Sequence, residues 1–509
     1  MSRHQSLTHR KQRIQHRLRP IAWSAQPQPM YTATNIHYEH SARVRGLETG
    51  GIAAMHRLAQ ATGLVAAIDQ QVQVLKVHLP YHESDHVLGL AYNVLCGGTC
   101  LQDIELRRQN EVYLDALGAQ RIPDPTTAGD FCRRFGEAEI EALQAAINAT
   151  RVRVWQAQPA AFFDEAVIDA DGTLAETTGQ CKGGMDIAYT GVWGYHPLVV
   201  SLANTQEPLY LVNRSGNRPS SEGAAERFDQ AHALCREAGF RRVTFRGDTD
   251  FTQTRHLDRW EAAGVRFVFG CDARANVMRL ADALPVEAWQ PLVRRPPYAV
   301  ETAPRARPTN VKEPTIVARG FKNLRLEAEA VAEFAYRPTC CAQPYRMVVV
   351  RKNISVEQGD DRLFDEIRYF FYLTNDRTAS PTAIVFLAND RCNQENLIDQ
   401  LKHGVGAMRM PVDTLRSNWA YMVMAALAWS LKAWFALLLP ETGRWAPRYR
   451  AEKAAVLRME FKAFLNAFMR VPVQVVRTSR RLVCRLLAWN PWQHIFLRGV
   501  DHLPHALRC

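Results

Sequence analysis

The sequence predicts an α/β protein in which helices flank a mixed β-sheet, with a β-rich insertion and helical regions at both ends of the chain. Strand patterns alternate with helical patterns between residues 161 and 275 in the order β-β-β-α-β-α-β, which is typical of a mixed sheet covered by helices. A Pro-rich stretch of short alternating runs interrupts this order at residues 276–345. Apolar residues recur every three and four positions in residues 47–155, which is a helical pattern.

These changes of pattern divide the chain into regions with different predicted structures. The regions are a basic flexible arm (1–45), a helical domain (46–155), the first part of an α/β core (156–275), a β-rich insertion (276–345), the second part of the core (346–440) and a basic helical region (441–509).

The charge is concentrated at the two ends of the chain. The 509 residues carry a net charge of +12, with 47% apolar and 22% charged residues, which fits a folded soluble protein. Residues 1–46 contain eight Lys or Arg and one acid, and residues 441–509 contain thirteen basic and four acidic residues. Cationic ends around a mildly acidic centre suit a polyanion held outside a site that carries carboxylates.

The cysteine pattern and the chain start indicate a cytoplasmic protein. The eleven cysteines include no CxxC pair, so they predict reduced thiols rather than a zinc site. The first residues contain no apolar segment typical of a secretory signal. Residues 418–439 are apolar enough to span a membrane, but Lys432 lies inside them, which favours a buried core helix and predicts no membrane contact.

The N-terminal domain is predicted to contain several helices with local start and stop signals. The first covers the segment GGIAAMHRLAQATGLVAAIDQ, and a second covers ESDHVLGLAYNVLCGG, with Ser84 as its N-cap and Gly97 as its end. One or two more follow Pro125. In the core, the strand segments FFDEAVIDADGT, RRVTFRGDTDF and VRFVFGCDA alternate with helical segments.

Two predicted strands end in pairs of aspartates. Asp171 ends the first strand, and Asp169 precedes it by two residues and therefore points to the same face. Asp248 ends another strand, and Asp250 follows it by two residues. Such carboxylates can converge at the edge of an open sheet. The alternatives are a turn residue at position 171 and a helix cap at 248, and Asp169 and Asp250 suit supporting or capping roles better than direct metal binding.

A third carboxylate lies in the segment NDRCNQENLIDQLKHG, residues 389–404. On one continuous helix, Arg391, Glu395 and Lys402 fall close to one face. With the aspartates, Glu395 would complete a site for two hard cations such as Mg²⁺, with Mn²⁺ as a substitute. Two such ions can stabilise both oxygens of a phosphodiester displacement. The alternative is a solvated helix with one weak Glu–Arg pair.

Three motifs resemble those of a known family. They are DADGT (169–173), RGDTDF (246–251) and CNQENLIDQLKHGV (392–405). In this order they resemble the DDE transposases of bacterial insertion sequences, most closely the type numbered 1380. In related transposases the third motif carries Tyr, Arg, Glu and Lys at set spacings. Arg391, Glu395 and Lys402 fit these positions, whereas Ala388 replaces the Tyr.

The resemblance implies an RNase-H-like fold with a β insertion between the second Asp and the Glu, in agreement with the 147 residues that separate Asp248 from Glu395. It implies that Asp171, Asp248 and Glu395 are catalytic and bind metal. It also implies cleavage of double-stranded DNA at terminal inverted repeats and joining of the 3′-hydroxyl ends to target DNA, in the bacterial cytoplasm at the nucleoid.

The predicted DNA contacts follow from charge. Arg391 and Lys402 would hold phosphates beside the metals, and Arg246 is a further candidate. Arg214 and Arg218 are weaker candidates. The helical domain and the basic arm are expected to read the inverted repeat, and a homodimer is expected on DNA. Two alternatives remain, an endonuclease without strand transfer and a non-catalytic DNA-binding relic.

Overall fold

The fold is taken from a computed structural model, which describes residues 3–19, 30, 33, 36–38, 44–294, 310–359, 361–478 and 481–503.

The N-terminal part of the chain is largely helical. Its elements are α1 (Arg3–Arg17), β1 (Gly46–Leu47), α2 (Ile52–Ala61), α3 (Leu64–Gln71), α4 (Glu83–Leu95), α5 (Ile104–Arg108), α6 (Glu111–Leu117), α7 (Pro125–Arg133) and α8 (Glu137–Gln156). The helix α1 lies in the region predicted as a flexible arm, so part of that arm is structured. The prediction of Ser84 as an N-cap is wrong. His82 caps α4, and the Ser84 hydroxyl donates to Asp69 Oδ2 at 2.9 Å.

A mixed sheet forms the centre of the molecule. The next elements are β2 (Glu165–Gly172), β3 (Ala175–Glu176), β4 (Asp186–Ile187), β5 (Trp193–Tyr195), β6 (Leu198–Leu202), β7 (Glu207–Val212), α9 (Ala224–Ala238), β8 (Arg242–Gly247), α10 (Leu257–Ala262) and β9 (Arg266–Cys271). The core strands lie in the order β7-β6-β2-β8-β9, and the strands β3, β5 and β4 form a small separate sheet.

Strand direction decides where the acidic residues lie. The strands β2, β8 and β9 are parallel neighbours, and β6 and β7 are antiparallel. Parallel strands need a crossover, which α9 and α10 supply. Ile168 and Ala170 are buried in β2, and so is Asp169 on the opposite face, because helices cover both sides of the sheet. The carboxyl ends of β2 and β8 therefore meet at one edge.

The predicted insertion extends the same sheet and is not a separate module. The elements that follow β9 are α11 (Ala275–Asp282), β10 (Gln290–Pro291), α12 (Lys312–Ala318), β11 (Lys322–Tyr336), β12 (Tyr345–Gln358) and β13 (Asp361–Thr374). Of these, β12 and β13 belong to the region predicted as the second part of the core. The strand β13 pairs with β9, which gives nine strands in the order β10-β11-β12-β13-β9-β8-β2-β6-β7. The predicted boundary at residue 345 separates two paired strands, β11 and β12. The pairing of β13 with β9 satisfies the backbone groups that β9 would otherwise expose at an edge.

The predicted helix at residues 389–404 is interrupted. Its residues are divided between the end of α13 (Pro381–Asn389), α14 (Cys392–Asp399) and a π-helical turn (Gln400–Gly404). Arg391 lies at the N-cap of α14. The positions of Arg391, Glu395 and Lys402 therefore do not follow one regular α-helical repeat.

The apolar segment near residue 418 forms the buried helix α15 (Leu415–Leu437). Within the described residues, this is the one helix whose length and composition would allow it to cross a membrane, and its apolar window lies wholly inside the protein. Lys432 is fully buried in it.

The C-terminal region contains strands as well as the predicted helices. Its elements are α16 (Ala446–Arg458), α17 (Phe461–Phe464), a π-helical turn (Leu465–Met469), β14 (Val473–Arg477), β15 (Leu482–Leu486) and α18 (Gln493–His502). The prediction of a purely helical region is wrong, because Val473 and Val475 alternate toward the core and pair as a strand. The strand β14 also pairs with β1, so the two ends of the chain meet.

Candidate active site

Two adjacent strand ends bring Asp171 and Asp248 to the same edge of the sheet. Asp171 is the second-last residue of β2, and its side chain is 15% exposed. Asp248 directly follows β8, and its Oδ1 accepts a hydrogen bond from the backbone N–H of Asp250 at 3.0 Å. Asp248 thus caps the short turn Thr249–Phe251 rather than the later helix.

The helix α14 brings Arg391 and Glu395 to the same edge. The Arg391 guanidinium lies 3.0 Å from Asp171 Oδ2 and 3.8 Å from Glu395 Oε1. Buried Gln394 fixes the helix on β6, because its Nε2 donates to the Val199 carbonyl at 3.0 Å and its Oε1 accepts from the Ser201 hydroxyl. Arg391 therefore bridges the first and third predicted carboxylates, while Glu395 remains 62% exposed.

The electrostatics of the site favour a bound cation. Burial raises the pKa of Asp171 to about 6, the Arg391 charge opposes this rise, and the Asp248 charge adds to it. Burial also raises the pKa of Asp248, and Arg391 again opposes the rise. The carboxylates repel each other in a partly dry site, so each positive charge near them stabilises their ionised forms.

The carboxylates of the site are suitable ligands for a hard metal ion, but their arrangement in this structure is less suitable. Carboxylate oxygens are the ligands that Mg²⁺ and Mn²⁺ prefer. In the part of the chain that the structure describes, however, no three His, Cys, Asp or Glu side chains are grouped closely enough to hold a metal ion. The guanidinium of Arg391 contacts Asp171 Oδ2, so it would compete with a metal ion for this oxygen.

Asp169 and Arg246 form a buried pair beside this site. The Nε and Nη2 of Arg246 donate to the two oxygens of Asp169, each at 2.7 Å, and Nη1 donates to the Leu387 carbonyl at 2.8 Å. The side chains are only 4% and 1% exposed. The prediction that Arg246 binds a DNA phosphate conflicts with this burial, because its donors are already used to join β2, β8 and α13.

The other predicted cations lie in different environments. Arg214 is buried, and its guanidinium donates to the backbone carbonyls of His196 and Glu222, at 2.8 and 2.7 Å, so it is not open to a phosphate. Arg218 is exposed and pairs with Glu222. Lys402 is half-buried in the π-helical turn, and burial lowers its pKa.

The sequence analysis missed His196, which lies beside the end of β2. His196 is 4% exposed, and its Nδ1 donates to the Arg218 carbonyl at 2.7 Å. Its Nε2 lies 2.9 Å from the position that a Cβ atom would take at Gly172. Burial lowers the pKa of His196, and the charges of Asp250 and Lys402 also act on it. Strand pairing is the signal that could have found His196. This residue directly follows β5, and the antiparallel pairing of β6 with β2 places Leu198, at the start of β6, opposite Gly172.

The sheet and this site define an α/β protein whose acidic residues come from two adjacent strand ends and a neighbouring helix. The model of the family described as Transposase DDE domain group 1 matches residues 47–507, and the chain belongs to this family. The resemblance to DDE transposases is thereby confirmed at the level of the family.

Two further comparisons complete this result. No curated protein matches the chain. Among solved structures, the chain is similar to the cryo-EM structure of the piggyBac transposase synaptic complex with hairpin DNA. The sequence identity is 10%, the alignment covers 84% of this chain and 82% of that chain, and the TM-score is 0.36.

Proposed function

We propose that this chain is a DNA transposase that binds the terminal inverted repeats of its own element, cleaves there with divalent metal ions and joins the 3′-hydroxyl ends to target DNA. The observation that carries the proposal is the arrangement of Asp171, Asp248 and Glu395 around the charge of Arg391. The family supplies the class of reaction, and the three side chains supply hard oxygen ligands for it.

We also propose a finer classification and an assembly. The parallel strands β2, β8 and β9, with acids at their carboxyl ends, support an RNase-H-like core. The three motifs support a bacterial insertion sequence of the type numbered 1380, acting in the cytoplasm at the nucleoid. Because an element has two ends that must be joined to one target, we expect a homodimer on DNA.

In this mechanism, Asp171, Asp248 and Glu395 would hold two Mg²⁺ ions or, as substitutes, Mn²⁺ ions. When bound, such ions lower the pKa of a water molecule and stabilise the attacking and leaving oxygens of a phosphodiester displacement. Arg391, released from Asp171, would grip a DNA phosphate with two hydrogen bonds, and Lys402 would hold another as a point charge. The buried pair of Asp169 and Arg246 would keep the two strand ends in register.

The two chemical steps conserve bonds and charges. In the first, water attacks phosphorus, the bond from phosphorus to the 3′ oxygen breaks, and a 3′-hydroxyl and a 5′-phosphate remain. In the second, that 3′-hydroxyl attacks a target phosphodiester, and one such bond forms as another breaks. Arg391 and Lys402 would hold the phosphates in line for both displacements.

The test uses the full chain, Mg²⁺, a duplex that carries the inverted repeat found beside the gene, and a plasmid target. Asp171→Asn, Asp248→Asn and Glu395→Gln should each bind the duplex as tightly as the parent but yield neither cleaved nor joined DNA. Asp399→Asn is the matched control, because this carboxylate lies on the same helix and is 60% exposed.

Each other outcome contradicts the proposal in a distinct way. Full Mg²⁺-dependent cleavage by Asp171→Asn would remove this residue from the site. Cleavage by the parent without any joined product would indicate an endonuclease. Binding of the inverted repeat by the parent without cleavage in Mg²⁺ or Mn²⁺ would indicate a DNA-binding relic.

A further inference from the structure

A polar cavity lies in the N-terminal helical region, away from the acidic residues of the candidate active site. Its volume is about 710 Å³, and its walls come from the loop before α4, the segment before α7, and α7 itself. The residues that line the cavity include Lys76, Tyr81, His86, Arg121, Phe131 and Arg134. We call this space the Arg121–Arg134 cavity.

The floor of the cavity contains a buried histidine with an unused hydrogen-bonding atom. His86 is 5% exposed and stacks on Phe131, with 4.2 Å between the ring centroids. Its Nδ1 is buried and has no hydrogen-bond partner among the described residues. His86 and Phe131 therefore form an aromatic part of the cavity wall.

Cations without acidic partners surround the opening. Within the described part of the chain, no carboxylate forms an ion pair with Lys76, Arg121 or Arg134. The Arg121 guanidinium lies 5.7 Å from the centroid of the Tyr81 ring, which holds this side chain at the cavity. A fourth cation, Arg108, is already paired with Glu105.

Four cations and two carboxylates line the cavity, so the carboxylates offset only part of the positive charge. Asp124 accepts hydrogen bonds from the backbone N–H and the hydroxyl of Thr127, at 2.8 and 2.9 Å, and so caps α7. Asp130 pairs with Arg133 at 2.7 Å. The opening therefore carries an excess of positive charge that the fold does not use.

We propose that the Arg121–Arg134 cavity binds the sugar–phosphate backbone of DNA, with phosphates at Lys76, Arg121 and Arg134. This inference rests on the proposed function and adds to it a specific contact site in the helical region. Cations of this kind hold phosphates and position a protein on DNA without reading its sequence.

The placement of the charges favours a polymer over a small anion. The three cations are exposed at the opening, whereas the floor is aromatic and contains an uncharged imidazole, because burial lowers the pKa of His86 to about 4. Exposed cations hold a small anion weakly, because water and salt screen each contact and the long side chains lose conformational entropy. A DNA strand can lie across the opening and contact all three cations from outside.

The test measures binding by the full chain to two fluorescent duplexes, one with the inverted repeat and one unrelated, over a range of salt concentrations. Arg121→Ala combined with Arg134→Ala should weaken binding of both duplexes about tenfold at physiological salt and reduce the salt slope by about 2. Arg121→Lys combined with Arg134→Lys keeps both charges and should recover most of the affinity.

The matched control removes the same charge from a different surface. Arg241→Ala combined with Arg242→Ala acts at the start of β8, at the sheet edge opposite Asp248, where these residues pair with Asp164 and Glu165. This control should change the affinity less than twofold. Circular dichroism of each variant establishes that the helices remain folded.

The outcomes separate this inference from the proposed function. If the parent binds DNA and the cavity variant equals the control, the inference is wrong and the function stands. If the parent binds neither duplex, both fail. If inorganic phosphate raises the melting temperature of the parent but not of the cavity variant, while their DNA affinities are equal, the cavity binds a small anion and the inference is wrong.

Discussion

Gly172 follows Asp171 and lies close to the His196 imidazole and to Ser220. A Cβ atom at this position would lie 2.9 Å from His196 Nε2 and 3.2 Å from Ser220 Cα, which is a backbone atom that cannot easily move. The absence of a side chain here therefore lets the end of β2 approach its neighbours closely.

We expect Gly172→Ala to displace the end of β2 and reduce DNA cleavage about a hundredfold or more, because small misplacements of reacting groups have large effects. Its melting temperature should stay close to that of the parent. Gly89→Ala is the control, because no atom lies within 4 Å of its added Cβ in α4, and it should keep full activity. Equal cleavage by both variants would show that the end of β2 tolerates a side chain.

Lys432 makes the stability of the protein depend on pH. It is fully buried in α15, donates to the Leu457 carbonyl at 2.8 Å and lies 3.8 Å from the Trp429 ring centroid. Burial lowers its pKa from 10.5 to about 7. Between these values the unfolded chain binds more protons than the folded protein, so this lysine makes the free energy of unfolding rise with pH there.

We expect Lys432→Met to remove this dependence. From pH 6 to pH 9 the lysine should add about 3 kcal/mol to the free energy of unfolding of the parent, and the variant should lack that gain. Urea titrations of both proteins at the two pH values measure the difference. An identical gain in parent and variant would mean that Lys432 keeps its proton throughout.

At the scale of elements, one buried carboxylate joins the helical region to the sheet. Glu207 is completely buried at the start of β7, and its Oε1 accepts from Arg151 of α8 at 3.1 Å and Trp434 of α15 at 2.8 Å. Its Oε2 accepts from Trp155 at 2.9 Å and Thr205 at 2.6 Å. The edge of the sheet and two long helices thus share one set of hydrogen bonds.

Glu207→Gln should lower the free energy of unfolding by about 3 kcal/mol, because it leaves the Arg151 charge uncompensated and replaces one acceptor with an NH₂ group. Glu105→Gln is the control, because its pair with Arg108 is 36% and 45% exposed and contributes less than about 1 kcal/mol. Urea titration compares the two. A similar small loss of unfolding free energy in both variants would mean that the hydrogen bonds of Glu207 do not hold a rigid network.

The break after Asp399 changes the geometry of the third motif. A continuous α-helix would return Lys402 to nearly the face of Glu395 after about two turns. The π-helical turn winds more slowly, so Lys402 shifts around the axis and becomes half-buried. Its charge still acts on His196, which lies beside the end of β2. The regular α-helical repeat therefore does not describe where Lys402 lies.

At the scale of the whole molecule, the two cationic ends of the chain meet. The strand β1 pairs with β14, and the Arg45 carbonyl accepts from the Val475 backbone N–H at 2.9 Å. If the proposed function is correct, the basic residues of both ends would therefore lie close enough to contact one DNA molecule.

Deleting residues 1–43 removes seven basic residues and keeps the contact of Arg45. If this segment touches DNA, the slope of log affinity against log salt should become flatter, because each phosphate contact contributes about 0.9 to it. Lys11→Gln combined with Arg13→Gln keeps the length of α1 and should flatten the slope by a smaller amount. An unchanged slope in both proteins would mean that the segment does not bind DNA.

The sequence by itself determined the fold class, the order of the three acidic motifs and the buried α15, because these depend on local patterns and spacing. Alternation predicts the core strands, and apolar length with an internal lysine predicts the core helix. The family was also accessible, because its motifs are contiguous in the chain.

Only the tertiary structure decided which charged residues are free to act. Arg246 looked like a phosphate ligand, but a parallel neighbour places Asp169 beside it and buries the pair. Arg391 looked like a cation beside the metals, and folding places it on Asp171 itself. The insertion became part of the main sheet through the pairing of β11 with β12. Each of these results depends on partners distant in sequence, whose proximity arises from strand pairing and burial rather than from any local pattern.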